Sequence, residues 1–336
     1  MLTEKENYLM CLRGEQPEWV PRYTMFQIPG QAPVASIILA PGLLSQYRRV
    51  GGKDVWGVNY VRTYEAGNAQ IPEPNNFILK DIRKWRDVIK APSLEGIDWE
   101  DMVKKDLEYY KVDRSQTAVA LNMQVGFFQN LMAFMGFTEG LMAFHEEPEE
   151  VKALLNYLCD FYVAVQSKYV DILKPDVIAT MDDTATWAAP FISPEMYREF
   201  ILPFHDRQVK VGRDRGLPIS MHNCGKSEAF FDDLVKIGVC VWDPCQTSND
   251  VVGIKKKYGN KLIIAGGWDA RGRLLEPDTT EEEIYESVRS TMNLLATGGG
   301  YAFSGQFLGP MDDPVTRRKN GILSKAIKEL GHAFYN

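Results

Sequence analysis

Short apolar segments alternate with longer amphipathic segments along the second half of the chain. The apolar segments are rich in Val, Ile and other β-forming residues, which is the pattern of buried strands. Strands are predicted at 176–181, 217–221, 239–242, 262–265 and 301–304. Between them, apolar positions three and four residues apart predict helices at 193–213, 227–237, 251–258, 280–296 and 314–330. Repeated strand–helix units predict a parallel sheet, because each helix returns the chain to the same edge.

The first half of the chain has a less regular pattern. It predicts strands at 23–28, 55–61 and 118–125 and helices at 4–13, 98–110 and 148–173. No repeat, low-complexity tract or long linker divides the sequence. We therefore predict a single domain spanning residues 1–336, with an N-terminal helical extension.

Parallel strands with returning helices form either an open doubly wound sheet or a closed barrel. The sequence has no G-x-G-x-x-G after an early strand, so the dinucleotide-binding open sheet is disfavoured. Polar residues follow the ends of successive strands: Asp182, Asp183, His222, Cys224, Asp243, Cys245, Trp268, Asp269, Ser304 and Gln306. A closed barrel gathers all these strand ends around one centre. The predicted fold class is α/β, a (β/α)8 TIM barrel.

Composition narrows the class of protein further. The chain is 45% hydrophobic and 25% charged, as expected for a globular protein, and no window is apolar enough for a membrane span. A net charge of −7 argues against nucleic-acid binding. Charged residues near the N-terminus exclude a secretory signal, and five cysteines are too few for a disulfide framework. The expected location is the cytoplasm.

His222 and Cys224 carry the strongest chemical signal. They lie at the end of the predicted strand 217–221, and side chains two residues apart on a strand point to the same face. An imidazole and a thiolate that converge in this way suit a catalytic zinc with one open position. Cys245 follows the next strand and is a candidate third ligand; a thiol near the site is the alternative.

The carboxylates at the strand ends are candidate catalytic groups. Asp182 and Asp183 are adjacent, so only one of them faces the barrel interior, and the sequence does not show which. The other is expected to cap a loop or a helix. Asp243 and Asp269 are the other candidates for a proton donor or an orienting group.

Aromatic residues near the strand ends are candidates for a substrate pocket. Trp187, Trp242 and Trp268 could form the wall of a site for a flat substrate. The other histidines, His145, His205 and His332, are interpreted as surface or helix-packing residues. Gly225-Lys226-Ser227 is not a phosphate-binding loop, because Ser220 stands where that motif requires glycine.

Several segments, in this order and spacing, resemble the uroporphyrinogen decarboxylase superfamily over almost the whole chain. They are Leu12 to Pro21, Ser193 to Tyr197 leading to Pro203, His222 to Gly225, Gly266 to Asp269, and Gly298 to Ser304. The resemblance implies a (β/α)8 barrel. The decarboxylases of this superfamily hold a polycarboxylate with an arginine-rich N-terminal segment, but this chain has no arginine between Arg22 and Arg48.

The zinc-dependent, corrinoid-linked methyltransferases of the superfamily resemble this chain at His-x-Cys. This resemblance implies that His222 and Cys224 bind Zn²⁺ and that a corrinoid protein is the partner. Members that act on thiols add a cysteine near the last strand, where this chain has Gln306. Gln306 is therefore a further candidate ligand.

A zinc with one thiolate and oxygen or nitrogen ligands is a stronger Lewis acid than one with two thiolates. This implies an O-demethylase that moves the methyl group of a small methylated substrate, expected to be an aryl methyl ether, to the corrinoid protein. A methylcobamide:thiol methyltransferase, a uroporphyrinogen-type decarboxylase, another barrel enzyme and a non-catalytic ligand-binding barrel stay open as alternatives. The sequence does not show whether two chains form a homodimer.

Overall fold

The computed structural model describes residues 2–24, 33–64, 69–310 and 312–335. Within these ranges the strands, in chain order, are β1 (Ser36–Leu39), β2 (Gly52–Lys53), β3 (Asn59–Thr63), β4 (Ala69–Pro72), β5 (Ala118–Asn122), β6 (Val177–Met181), β7 (Ile219–His222), β8 (Val239–Cys245), β9 (Ile263–Gly266) and β10 (Tyr301–Ala302). The α-helices are α1 (Glu4–Leu12), α2 (Gly42–Val50), α3 (Trp85–Val88), α4 (Trp99–Tyr110), α5 (Phe127–Met135), α6 (Phe137–Glu146), α7 (Pro148–Leu173), α8 (Pro194–Phe200), α9 (Leu202–Arg213), α10 (Phe231–Lys236), α11 (Val251–Tyr258), α12 (Glu281–Leu295) and α13 (Pro314–Ala333).

Seven strands form one parallel sheet in the order β1-β5-β6-β7-β8-β9-β10. Each strand after β1 lies beside the strand that precedes it in this sheet, and helices lie in the connections. This order matches the strand–helix repeat that the sequence predicts for the second half of the chain. The predicted α/β class with parallel strands is confirmed.

A short segment links the two edge strands of this sheet. The Phe303 amide, just after β10, donates to the Pro21 carbonyl, and the Tyr23 amide donates back to the Phe303 carbonyl, both at 2.8 Å. On its other side, the Arg22 carbonyl accepts from the Ala35 amide at 2.8 Å, next to β1. Residues 25–28 of the predicted strand 23–28 lie outside the described residues, so an eighth strand stays a prediction.

Small side chains line the inner face of the sheet and make room for large ones from the N-terminal region. The inner cluster contains Ala118, Ala120, Ala179, Ala265 and Ala302 together with Tyr8, Leu12 and Tyr23. The rings of Tyr8 and Tyr23 are 6.2 Å apart and both are almost fully buried. Helix α1 therefore covers the inner face of the sheet toward the amino ends of the strands, and the opposite end is left for a site.

Two predictions about elements were wrong in detail. The predicted strand 55–61 is not part of the parallel sheet: β3 occupies Asn59–Thr63 and pairs with β2 and β4 in a separate antiparallel sheet. The side chains of β3 are partly exposed, as expected for a small antiparallel sheet with one face in contact with solvent. The predicted helix 193–213 breaks at Ile201 into α8 and α9, because Pro203 lacks the amide hydrogen that a continuous helix needs.

No helix in the described part of the chain has the length and apolar character that a membrane crossing requires.

Candidate metal centre

Three side chains with metal-binding atoms converge at the carboxyl ends of β6 and β7. The ligand atoms of Asp183, His222 and Cys224 all lie within 4.8 Å of one another. His222 Nε2 is 3.5 Å from Cys224 Sγ and 3.9 Å from Asp183 Oδ1. We call these three residues the triad. Parallel pairing of β6 with β7 brings the carboxylate beside the other two groups.

The spacing of His222 and Cys224 fits a tetrahedral zinc ion. Bonds of about 2.0–2.1 Å to nitrogen and about 2.3 Å to sulfur, at a tetrahedral angle, place the two atoms about 3.6 Å apart. The observed separation of His222 Nε2 and Cys224 Sγ, 3.5 Å, is close to that value. Nitrogen, sulfur and carboxylate oxygen are the donors that zinc takes in proteins, and three protein ligands leave a fourth position open.

The His222 ring is held from behind by Asp243, which faces it across the β7–β8 register. His222 Nδ1 and Asp243 Oδ2 are 2.9 Å apart, and this contact directs Nε2 toward the other two triad residues. Burial opposes protonation of His222, but the Asp243 carboxylate and Cys224 outweigh it and hold the pKa of His222 well above its ordinary value. Burial also raises the pKa of the Cys224 thiol, and His222 opposes that shift.

Asp243 is itself fixed on the inner face of the sheet. Ser220 Oγ donates to Asp243 Oδ1 at 3.4 Å, and the Tyr23 hydroxyl hydrogen bonds with both side chains. Asp243 is 2% exposed, and burial raises the pKa of Tyr23 well above its ordinary value. The histidine, the carboxylate and the two hydroxyl groups form one connected network behind the triad.

Asp183, the third member of the triad, accepts hydrogen bonds at both carboxylate oxygens. Oδ1 accepts from the Cys224 amide at 2.9 Å, and Oδ2 accepts from Gln129 Nε2 at 3.0 Å. Gln129 lies in the first turn of α5, which follows β5. The carboxylate therefore contacts the segments that follow both neighbours of β6: α5, which follows β5, and the loop that follows β7.

Asp182 points to the opposite side of β6, away from the triad, and is fully buried. It accepts from the amides of Phe128 and Gln129 at 2.9 and 3.1 Å, and His205 Nε2 lies 3.2 Å from its Oδ2. It thus caps the first amides of α5, which have no carbonyl partner within the helix. The question that the sequence left open between Asp182 and Asp183 has a plain geometric answer, since only Asp183 joins His222 and Cys224.

The loop after β7 is pinned by polar side chains from neighbouring loops. Asn223 Oδ1 accepts from the Thr184 amide at 3.1 Å, and the Gly225 amide donates to Gln246 Oε1 at 2.6 Å. Gly225 has φ of +83°, and a Cβ there would lie 2.5 Å from the Thr186 carbonyl oxygen. Glycine is therefore required at this position of the loop that carries Cys224.

The two other candidate ligands, Cys245 and Gln306, differ in their surroundings. Cys245 is 3% exposed and packs in the core between the sheet and its helices, where burial raises the pKa of its thiol well above the ordinary value. It is not part of the triad. Gln306 is exposed in the loop after β10.

Two of the candidate pocket tryptophans pack within the protein. Trp242 is 1% exposed, lies 4.5 Å from the Phe231 ring between centroids, and donates from Nε1 to the Asn223 carbonyl at 3.2 Å. Trp268 is half-buried and packs edge-on against Phe307, with 5.0 Å between centroids. Trp242 therefore supports the site loop from the helix side.

Trp187 is exposed in the loop after β6. The Arg271 guanidinium lies 4.2 Å from its ring centroid and also binds the Asp269 carboxylate. Arg271 lowers the pKa of Asp269 to about 2, and Thr247 Oγ1 donates to the same carboxylate at 2.8 Å. Asp269 thus joins the loops that follow β6, β8 and β9.

Two residues that bind the adjacent pair Asp182 and Asp183 were not predicted from the sequence. Gln129 bonds to Asp183, and His205, interpreted from sequence as a surface or packing residue, is 1% exposed and bonds to Asp182. Gln129 and Asn130 are the polar residues in the otherwise apolar helix Phe127–Met135. Two polar residues in the first turn of an otherwise apolar helix that follows a strand could have indicated that Gln129 lies near the site.

Three comparisons relate the chain to known proteins. A sequence profile of the family described as Uroporphyrinogen decarboxylase (URO-D) matches residues 111–307. A methylated-thiol–coenzyme M methyltransferase from Methanosarcina mazei is 29% identical over 146 residues, which is 43% of this chain and 36% of that protein. The match thus spans about a third of that relative's length. A solved structure, a methyltransferase from Methanosarcina mazei, superposes with a TM-score of 0.62 at 16% identity, covering 98% of this chain and 99% of that one.

Proposed function

The chain belongs to the uroporphyrinogen decarboxylase family, and we propose that it is a zinc-dependent methyltransferase. It moves a methyl group from a small methylated substrate to a corrinoid carried by a separate protein. The observation that supports this most is the triad of carboxylate, imidazole and thiolate at the mouth of the sheet. The name of the Methanosarcina relative and the full-length match to a methyltransferase fold point to the same class of reaction.

Asp183, His222 and Cys224 are the residues that would hold the zinc ion. When bound, zinc supplies a Lewis acid for the atom that carries the methyl group, which stabilises the negative charge left on that atom when the methyl group departs. The protein's own part is to fix these ligands: Asp243 orients the imidazole and the pinned loop after β7 orients the thiolate. Preorganised ligands spare the reaction the cost of arranging them.

Two substrate classes are supported by different observations. The triad contains one thiolate together with an imidazole and a carboxylate, and this more electrophilic set favours a poor leaving group such as the oxygen of an aryl methyl ether. A methylated thiol is the second candidate, because the Methanosarcina relative is named for that substrate. We place the ether first on the basis of the donor set.

The proposal extends to the barrel itself. With residues 21–23 bonded to both edge strands, we propose that the chain forms one (β/α)8 barrel over residues 1–336, in which this segment begins the first strand. The carboxyl ends of all strands then surround the triad. This end is open to the partner, because α1 fills the other end.

Metal analysis of the purified protein, followed by a methyl-transfer assay, tests this function. We expect about one zinc per chain, lost in His222→Ala and Cys224→Ser but kept in Cys159→Ala, which removes a buried thiol of α7. Methyl transfer to a reduced corrinoid is followed by its absorbance, with anisole-type ethers and methyl thioethers as the two substrate panels. A fully active metal-free protein would contradict the proposal, and carbon dioxide release from a porphyrinogen would identify a decarboxylase instead.

A further inference from the structure

The first turn of α5 contacts both carboxylates of the Asp182-Asp183 pair. Its backbone amides, from Phe128 and Gln129, donate to Asp182 at 2.9 and 3.1 Å. The Gln129 side chain reaches the other way and donates from Nε2 to Asp183 Oδ2 at 3.0 Å. One helical turn thus binds the buried carboxylate with its main chain and the triad carboxylate with a side chain.

The backbone of this turn is anchored from behind by a buried chain of hydrogen bonds. Asp182 Oδ2 is 3.2 Å from His205 Nε2, and His205 Nδ1 is 2.9 Å from the Tyr197 hydroxyl. These three side chains are 0%, 1% and 0% exposed. A Cβ on Gly126, the residue before the helix, would lie 2.6 Å from Gln129 Oε1, so the helix start is closely packed. The Gln129 side chain therefore extends from a fixed point.

Gln129 and Cys224 together determine how Asp183 is presented. The Cys224 amide occupies Oδ1 at 2.9 Å and Gln129 occupies Oδ2, which fixes the plane of the carboxylate. In this plane Oδ1 is 3.9 Å from His222 Nε2. The Asp183 side chain is 31% exposed, so without the Gln129 contact it keeps the Cys224 contact at Oδ1 but can rotate about it toward solvent.

We propose that Gln129 is a positioning residue for the metal centre, which keeps Asp183 in a one-oxygen binding geometry. The inference rests on the proposed function, because it assumes that the triad binds zinc. Gln129 acts through Asp183 and not by touching the metal or the substrate. Outer contacts of this kind change metal affinity by about 10- to 100-fold when they are removed.

A double-mutant cycle on zinc affinity tests this role. The zinc dissociation constant is measured by competition with a chelator for the wild type, Gln129→Met, Asp183→Ala and the double variant. Met is close to Gln in length and favours helix, so the change removes the donor and leaves α5 intact. We expect Gln129→Met to weaken zinc binding about 10-fold and to have no further effect when Asp183 is already Ala.

The matched control is Gln208→Met. Gln208, in α9, is 1% exposed, and in the described part of the chain its side-chain nitrogen and oxygen have no hydrogen-bond partner. We expect its zinc affinity to equal that of the wild type. Cobalt(II) substitution adds a spectroscopic measure, because the visible bands of the cobalt protein should change in Gln129→Met while the melting temperature of the metal-free variant does not.

The outcomes separate the inference from the function on which it rests. If Gln129→Met binds zinc as tightly as the wild type, or weakens binding equally with and without Asp183, the positioning role is wrong and the zinc site stands. If the wild type binds no more zinc than His222→Ala, the proposed function itself fails. Should Gln129→Met not fold, Gln129→Ala is carried through the same cycle with the same criteria.

Discussion

At the residue scale, the contact between His222 and Asp243 offers a direct test of the metal centre. Asp243 Oδ2 lies 2.9 Å from His222 Nδ1 and fixes the ring. We expect Asp243→Asn to raise the zinc dissociation constant about 10- to 100-fold, because the imidazole loses its orienting carboxylate. Chelator competition measures this constant.

Asp269→Asn is the control for that change. Asp269 also follows a strand of the sheet, but its carboxylate binds Arg271 and Thr247 and is not part of the triad. We expect its zinc affinity to match the wild type. Equal losses in Asp243→Asn and Asp269→Asn would show that the effect is one of general charge and not of the contact with His222.

Cys245 provides a second prediction about single residues. Its thiol lies in the core on the helix side of β8, away from the triad. We expect Cys245→Ala to retain about one zinc per chain and to lower the free energy of unfolding by about 1 kcal/mol, since it removes a packed sulfur. Urea denaturation and metal analysis of the same sample measure both quantities, and loss of the metal with the fold intact would restore Cys245 as a ligand.

The placement of single residues shows what strand periodicity can predict and what it cannot. His222 and Cys224 were predicted to share a face because they are two positions apart, and their ligand atoms do converge. Periodicity could not choose between Asp182 and Asp183, because their side chains alternate and nothing in the sequence marks which face is the interior. Cys245 is two positions from Asp243, so regular alternation would place both side chains on the same face of β8. The pairing of β8 with β9 is irregular between Trp242 and Cys245, and the thiol points to the helix side instead.

At the scale of elements, the start of α5 connects the buried carboxylate with the metal centre. A Cβ on Gly126 would lie 2.6 Å from Gln129 Oε1 and would also meet the Asp182 carboxylate. We expect Gly126→Ala to lower the free energy of unfolding by about 1–3 kcal/mol, as other overpacked sites do. Because the helix start must move, zinc affinity should fall as well.

Gly321→Ala is the matched glycine change. Gly321 lies in α13, is exposed, and has open space where a Cβ would be added. Alanine is the better helix former, so this variant should gain up to about 1 kcal/mol and keep its zinc affinity. Denaturant unfolding of the two variants side by side compares them, and a stable Gly126→Ala with normal zinc affinity would contradict the packing argument.

Elements with a clean repeat could be predicted, and those whose role depends on distant partners could not. The helix predicted at 148–173 has the bounds of α7, Pro148–Leu173, because Pro148 starts it and a continuous apolar stripe runs along it. Strand β1 was not predicted, because the first half of the chain lacks the regular strand–helix alternation that marks the strands of the second half. Its place in the sheet comes from pairing with β5, which lies about 80 residues further along the chain.

At the scale of the whole molecule, one end of the sheet is packed with side chains and the other carries the triad. Helix α1 lies at the amino ends of the strands, where the Lys5 amide donates to the Gln116 carbonyl, and its Tyr8 packs against Tyr23 and the alanines of the inner face. The triad lies at the carboxyl ends of β6 and β7. Tyr23 belongs to both regions, because its hydroxyl bonds with Asp243 behind the triad. Packing on the inner face of the sheet therefore supports the orientation of His222.

Because the triad draws residues from two strands and the loops that follow them, a metal ion bound there should stabilise the entire fold. A ligand at 100 times its dissociation constant adds about 2.7 kcal/mol to the free energy of unfolding. With an unfolding entropy of about 2.1 cal/mol/K per residue, this corresponds to a rise of about 4 °C in melting temperature for a chain of this length. Scanning calorimetry with and without zinc measures the rise, and His222→Ala should show none. If zinc raised the melting temperature of both proteins equally, the ion would be binding elsewhere, and the triad would not be its site.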